Sequence, residues 1–304
     1  MSDNKMKRLN SARTILILLV SIMMVVIGAW LLSDSDRTGG FNSRRALQDV
    51  ETQLSFGPRT PGSLAHQQAR DWMLAELEVA GWQTDTQSAV VDGHEIRNLV
   101  AKKGSGVPWY MLGAHYDSRM IADHDADPAR QLEPVPGAND GASGVAVLLE
   151  LARSLPDDLA GQVWLVFFDA EDQGKLPGWD WILGSRYFAS RLDGTPDGVV
   201  VVDMIGDVDL MVFKERNSSE QLNNAIWNTA DQAGFGNQFP SEYKYSMLDD
   251  HTPFIERGIP TALLIDFDYP WWHTSGDTLD KVSAESLNAV GMTLYNWLVD
   301  VLGD

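Results

Sequence analysis

Residues 163–172 read VWLVFFDAED. Six apolar residues, mostly β-branched or aromatic, make a run too short for a typical helix and without the alternation of a half-wet strand. The run therefore predicts a strand buried on both faces. It ends on Asp169, Glu171 and Asp172. The same construction recurs along the chain. The run Trp109–Ala114 delivers His115 and Asp117, the run Val199–Met204 carries Asp203, and the run Ala262–Ile265 leads through a loop to His273. Asn98–Ala101 adds a fifth apolar segment of this kind. Between these runs lie helix-like stretches at 66–81, 143–155, 185–192, 219–233 and 283–302, the last with Ser283 as its cap. Strands and helices alternating at this spacing predict one α/β domain, a mostly parallel sheet with helices on both faces. Ligands of such sheets collect at the carboxyl ends of the strands, where these polar residues fall.

Asp140 joins them from the glycine-rich loop Gly137–Gly141, which leads into a helix. Taken singly, each has a bland reading: Asp140 as a helix cap, Asp203 as a backbone acceptor, His115 as a satisfied core histidine. Gathered at one edge, the carboxylates would repel and raise one another's pKa unless a cation were present. The chain has no cysteine, so any metal must sit on His, Asp or Glu, the nitrogen and oxygen ligands that zinc accepts. Glu171 and Asp172 are adjacent, so in an extended segment their side chains diverge, which suits a general base beside a ligand. His115 and Asp117 stand two apart on one face, where Asp117 can take the second ring proton of a liganding imidazole. The bland reading of Asp117 is a surface acid.

Composition sets the outer bounds. Of 304 residues, 44% are hydrophobic, 22% charged and 11 are tryptophan. These are globular proportions, which exclude disordered and collagen-like chains, and the lack of cysteine excludes a disulfide scaffold. The formal net charge is −20, with Lys5, Lys7, Arg8 and Arg13 already spent in the first 13 residues. So acidic a surface repels phosphate backbones and argues against nucleic acid as a partner. Residues 14–32, TILILLVSIMMVVIGAWLL, are 19 residues without a charge, enough to span a bilayer core. The chain is therefore expected to have a cytoplasmic basic head at 1–13, a transmembrane anchor at 14–32, a polar tether at 33–43 and a catalytic domain at 44–304. Basic residues before the span and acids after it place that domain outside the cytoplasm as a single-pass membrane protein. A cleaved signal peptide and a buried core helix are the competing readings. The absence of small residues at the end of the run argues against the first, and the absence of a polar stripe against the second.

Eight short segments carry a resemblance. They are FGPRTPGS (56–63), HYDS (115–118), GANDGASG (137–144), FFDAED (167–172), GSR (184–186), VDMIG (202–206), DDHTPF (249–254) and WHT (272–274). In this order they resemble the zinc aminopeptidase and glutaminyl cyclase family of metalloenzymes, over about residues 45–300. The resemblance implies a single domain with a twisted mixed sheet and a zinc site at the carboxyl edge of its strands. FGPRTPGS, GSR and DDHTPF look most like the glutaminyl-peptide cyclotransferases. Matched residue by residue, it implies Asp140, Asp172 and His273 as zinc ligands and Glu171 as general acid/base. It also implies Asp249 as an acid holding the proton network and Trp272 as an aromatic wall of the substrate pocket. Two positions depart: Asp172 stands where the animal cyclases have Glu, and Leu263 where they have a pocket histidine. His115 and Asp203 match positions that hold a second zinc in the related aminopeptidases, so one zinc is expected and two are the alternative.

Peptide or protein N-termini are the substrate that this resemblance implies. The cyclase would convert N-terminal Gln to pyroglutamate with release of ammonia, and the aminopeptidase would hydrolyse the first peptide bond. Trp179, Trp181 and Trp271 could join Trp272 in the pocket wall, although Trp179 and Trp181 read equally well as core or rim. Asp250 and His251 read as a structural pair at a helix start. A binding module that lost its chemistry should lack ligands or base, and this chain keeps them all.

Overall fold

A computed structural model describes residues 40–303. The head 1–13, the span 14–32 and the tether up to residue 39 lie outside the described residues. Among the described residues, no helix is long and apolar enough to cross a membrane.

Six strands form one sheet: β1 (Gln83–Val91), β2 (His94–Gly104), β3 (Trp109–His115), β4 (Gln162–Phe168), β5 (Gly198–Asp203) and β6 (Thr261–Ile265). Their order is β1-β2-β4-β3-β5-β6. The four strands β4, β3, β5 and β6 run parallel, while β2 is antiparallel to β4 and β1 antiparallel to β2. Parallel strands covered on both faces need apolar residues at every position, and β5 is buried along its whole length. Alternate residues of the parallel strands serve two separate cores. Leu112, Leu165, Val200 and Leu264 pack on one side, and Met111, Val166, Val201 and Leu263 on the other.

The first core is closed by α1 (Ser43–Ser55), α2 (Leu64–Val79), α3 (Ala142–Ser154), α5 (Glu220–Gln232) and α7 (Ala284–Leu302), and the second by α4 (Leu183–Arg191) and the short α6 (Thr252–Glu256). Ser283 caps α7 as its sequence suggests, accepting the N–H of Ser286 at 3.1 Å. The folded unit begins earlier than the polar composition of 33–43 suggests. Phe41 is buried with its ring against Gly291, where a Cβ would meet it at 2.2 Å. Asn42 caps α1, and Arg45 grips the buried Glu150 of α3 through two contacts of 2.6 and 2.8 Å.

Three elements were not legible from hydrophobic runs: α1, α6 and β1. The last reads QTDTQSAVV and has no buried residue. It is an edge strand held by its ladder to β2 and by the Asp92–Gly93 turn between them, where both residues have positive φ, +50° and +89°. That is the two-residue hairpin geometry that Asp-Gly favours, because glycine takes positive φ without a steric penalty.

Candidate metal centre and its pocket

The parallel ladders bring the polar strand ends into register. Gly113 of β3 lies opposite Val201 of β5, so two residues on, His115 and Asp203 meet, with Nε2 of the imidazole 3.1 Å from the Asp203 carboxylate. The same nitrogen lies 3.1 Å from Oδ1 of Asp140. The other oxygen of Asp140 faces Nε2 of His273 at 3.9 Å, and that nitrogen lies 2.7 Å from Asp172. Two three-residue sets result, His115–Asp140–Asp203 and Asp140–Asp172–His273, each compact enough to hold one ion and both sharing Asp140. All five residues are buried.

The loop that carries Asp140 is held from three sides. Asp277 accepts the backbone N–H groups of Asn139 and Asp140 at 2.8 and 3.2 Å and the hydroxyl of Tyr269 at 2.7 Å. The fully buried guanidinium of Arg59 donates to the carbonyls of Tyr116, Pro136 and Gly137. Gly141 allows the third contact, since a Cβ there would fall 2.5 Å from the carbonyl oxygen of His115 and 2.6 Å from its ring. Oδ1 of Asp117 faces Nδ1 of His115 from 3.6 Å, on the side where the sequence places it and just short of a formed hydrogen bond. Its oxygens also accept the N–H groups of Glu171 and Asp172, at 3.0 and 3.3 Å, and the amide of Gln173 at 2.9 Å. It therefore shapes the turn that presents the acidic pair.

The electrostatics are those of a cation site. Burial, with the charge of Asp140, pushes Asp172 up to about 6. Burial also raises Glu171 well above the ordinary range, reinforced by Asp172, Asp250 and Asp249. Burial alone would lower both imidazoles. The carboxylates around His115 nonetheless hold it well above its usual value, and Asp172 and Asp123 hold His273 at about 9. Such shifts mark buried acids with too little positive charge among them. Asp140 Oδ2, Asp172 Oδ2 and Nδ1 of both histidines are buried without a hydrogen-bond partner in the protein. Unpaired buried oxygens converging with two imidazoles, in a chain without thiolates, fit a zinc ion.

Beside the cluster lies a cavity of about 140 Å³ lined by the acids Asp140, Glu171, Asp172, Asp203 and Asp249 and by Trp181, Trp272, Phe267, Ile265, Leu248, Met247 and Met204. Trp272 packs over the ring of His273 with centroids 3.9 Å apart, and Trp181 stacks near it at 6.0 Å. Trp179 instead stacks on His94, and Trp271 is partly exposed and sits against Gly276. Neither lines this cavity. Asp249 is pushed up to about 7 by burial and by the Asp203 charge. Behind it Asp250, which takes no part in the cavity wall, is buried with both oxygens unbonded, and the buried His251 faces Glu215 at 3.5 Å. Leu263 lies in the second core.

The sequence pattern of peptidase family M28 matches residues 98–298. The chain belongs to peptidase family M28. This M28 protein is 28% identical over 284 residues to a bovine glutaminyl-peptide cyclotransferase-like protein, covering 81% of this chain and 72% of the relative. Among solved structures, the glutaminyl cyclase of Porphyromonas gingivalis superposes with a TM-score of 0.82 at 32% identity, covering 86% of this chain and 99% of that one. A zinc-dependent exopeptidase of Parabacteroides distasonis superposes with a TM-score of 0.81 at 31% identity, covering 87% and 99%. Zinc is thus the metal that the family implies. The M28 fold also brings in residues that the sequence reading did not single out: Asp277, Tyr269, Arg119 and Asp123. All stand in loops, where neither periodicity nor an apolar run marks them.

Proposed function

We propose that this protein is a membrane-anchored zinc enzyme acting on peptide N-termini, and that it cyclises N-terminal Gln to pyroglutamate with release of ammonia. Asp140, Asp172 and His273 would hold one zinc, with His115 and Asp203 supporting Asp140 from the far side. Zinc bound there would supply Lewis-acid polarisation of the side-chain carbonyl of Gln. Glu171, on the cavity wall, takes one proton from the α-amine as that nitrogen bonds to Cδ. It returns the proton to the side-chain nitrogen as the C–N bond breaks and ammonia leaves. Asp249 hydrogen-bonds within this proton path. Trp272, Phe267 and Ile265 enclose the short apolar stem of the side chain.

The observation that carries the reading is the cavity itself, a small chamber beside the ligand set with Glu171 and Asp249 on its wall and aromatic rings around them. The likeness to glutaminyl cyclases supports it. The second reading, an aminopeptidase using two zinc ions, is favoured by the complete set His115–Asp140–Asp203 and by the likeness to an exopeptidase. There Glu171 would take its proton from water. An assay of the full chain on a Gln-initiated peptide and on aminoacyl amides, with and without a chelator, separates the two. Chelator-sensitive ammonia release from the Gln peptide alone is expected, and liberated amino acids would reverse the choice. The anchor and the extracytoplasmic domain are part of the same proposal, resting on residues 14–32 and the basic head. A reporter fused after Asp304 should behave as extracytoplasmic, and a cytoplasmic signal would refute that topology.

A further inference from the structure

Arg119 and Asp123 follow the HYDS segment and contribute to neither ligand set. Arg119 is nevertheless 1% exposed, a costly place for a guanidinium unless its donors are all used. Nε and Nη2 grip the two oxygens of Asp123, each at 2.7 Å. Nη1 donates to the main-chain carbonyl of Asp172 at 2.8 Å and Nη2 to that of Gly174 at 3.2 Å. The guanidinium also lies 5.2 Å from the ring centre of Trp181. One side chain therefore ties together a pocket wall, the backbone of one ligand and the carboxylate behind another.

That other ligand is His273. Its Nε2 faces Asp172 and Asp140, and its Nδ1 is buried with no hydrogen bond in place. The nearest carboxylate oxygen to Nδ1 is Oδ1 of Asp123, at 3.5 Å, one small adjustment from a hydrogen bond. His273 also has a φ of +56°, a left-handed backbone that a histidine holds only when its surroundings fix it. The N–H of His124 donates to its carbonyl at 3.2 Å. Asp123, His124 and His273 are close enough to be a third ligand set, but unlike the two buried sets it has an exposed member, His124. Each Asp123 oxygen takes one bond from Arg119 and keeps a second lone pair, and Oδ1 has His273 Nδ1 as its neighbour.

We propose that Arg119 and Asp123 are positioning residues: the guanidinium fixes Asp123, which orients the ring of His273 and makes it a stronger donor to zinc, while holding the Asp172 main chain in place. The inference rests on the zinc reading above. A ligand imidazole bonded through its second nitrogen to a carboxylate is held in one tautomer, and losing that partner typically weakens metal binding about 10–100-fold.

The test is the zinc affinity of the full chain, measured by competition with a chromophoric chelator, for the unaltered protein and for Asp123→Asn, Asp123→Glu and Arg119→Lys. Asp123→Asn keeps the shape and should bind zinc at least threefold more weakly. Asp123→Glu, which retains a carboxylate, should bind more tightly than Asp123→Asn. Arg119→Lys, which cannot span both oxygens, should also weaken binding at least threefold, and it decides the question if Asp123→Asn does not fold. Affinities within threefold of the unaltered protein, or equal weakening by Asp123→Asn and Asp123→Glu, would overturn the proposal while leaving the zinc enzyme standing. An unaltered chain that takes up no zinc would remove the zinc reading, and this inference with it.

Discussion

Glu171 and Asp172 are neighbours in the chain and serve different partners. Asp172 sits 2.7 Å from His273 within a ligand set, while Glu171 belongs to no ligand set among the described residues and lies among acids on the cavity wall. Replacing Asp140 or Asp172 by Ala should therefore lower bound zinc, measured by metal analysis of the purified chain. Glu171→Gln should keep its zinc and lose about 10²–10⁴-fold in turnover, the usual worth of a positioned proton carrier. Metal lost together with activity in Glu171→Gln would contradict that division. Glu171 and Asp172 were legible because they follow an apolar run, and Asp140 because it sits in a glycine-rich loop that leads into a helix. Asp277 and Arg119 were not, since nothing in GDTL or DSRM shows that these side chains turn inward to bond loop backbones. The spacing of His115 and Asp117 predicts the carboxylate beside the ring, where it stands, but not its bonds to the N–H groups of Glu171 and Asp172, neighbours brought close only by the parallel pairing of β3 with β4.

Elements declared themselves in proportion to their burial. The four parallel strands are apolar along their lengths and were read nearly to their ends. The edge strand β1 has no buried residue and is held by backbone pairing and a turn, forces that leave little trace in hydropathy. Gly93→Ala should accordingly destabilise the fold by about 1–2 kcal/mol, the penalty for a side chain in a left-handed turn, read from denaturant unfolding. Helix α1 was hidden because its start lies in a polar stretch, and its hold on the molecule includes the Arg45–Glu150 contact and the burial of Ala46 and Val50. The cap of α7 was legible from Ser283 itself. Ser283→Ala should cost about 1 kcal/mol.

The whole molecule places one cavity at the edge where two cores meet around a shared sheet, and its chemistry depends on charge balance there. Buried acids that raise one another's pKa are relieved by a cation that binds only the folded chain, so zinc should stabilise the fold. With free zinc at 1,000 times its dissociation constant the gain is about 4 kcal/mol, lost on chelation. Thermal unfolding with zinc and with chelator checks this, and an unchanged midpoint would argue against a metal at the cluster. Whether the chemistry is cyclisation or hydrolysis lies beyond what motif spacing encodes, because both share Asp140, Asp172, His273 and Glu171, and His115 and Asp203 stand in this chain under either reading. The direct measurement is the mass spectrum of a Gln-initiated peptide after incubation with the zinc-loaded full chain. The expected result is a product lighter by one ammonia and intact in length. A peptide shortened by its first residue would contradict it.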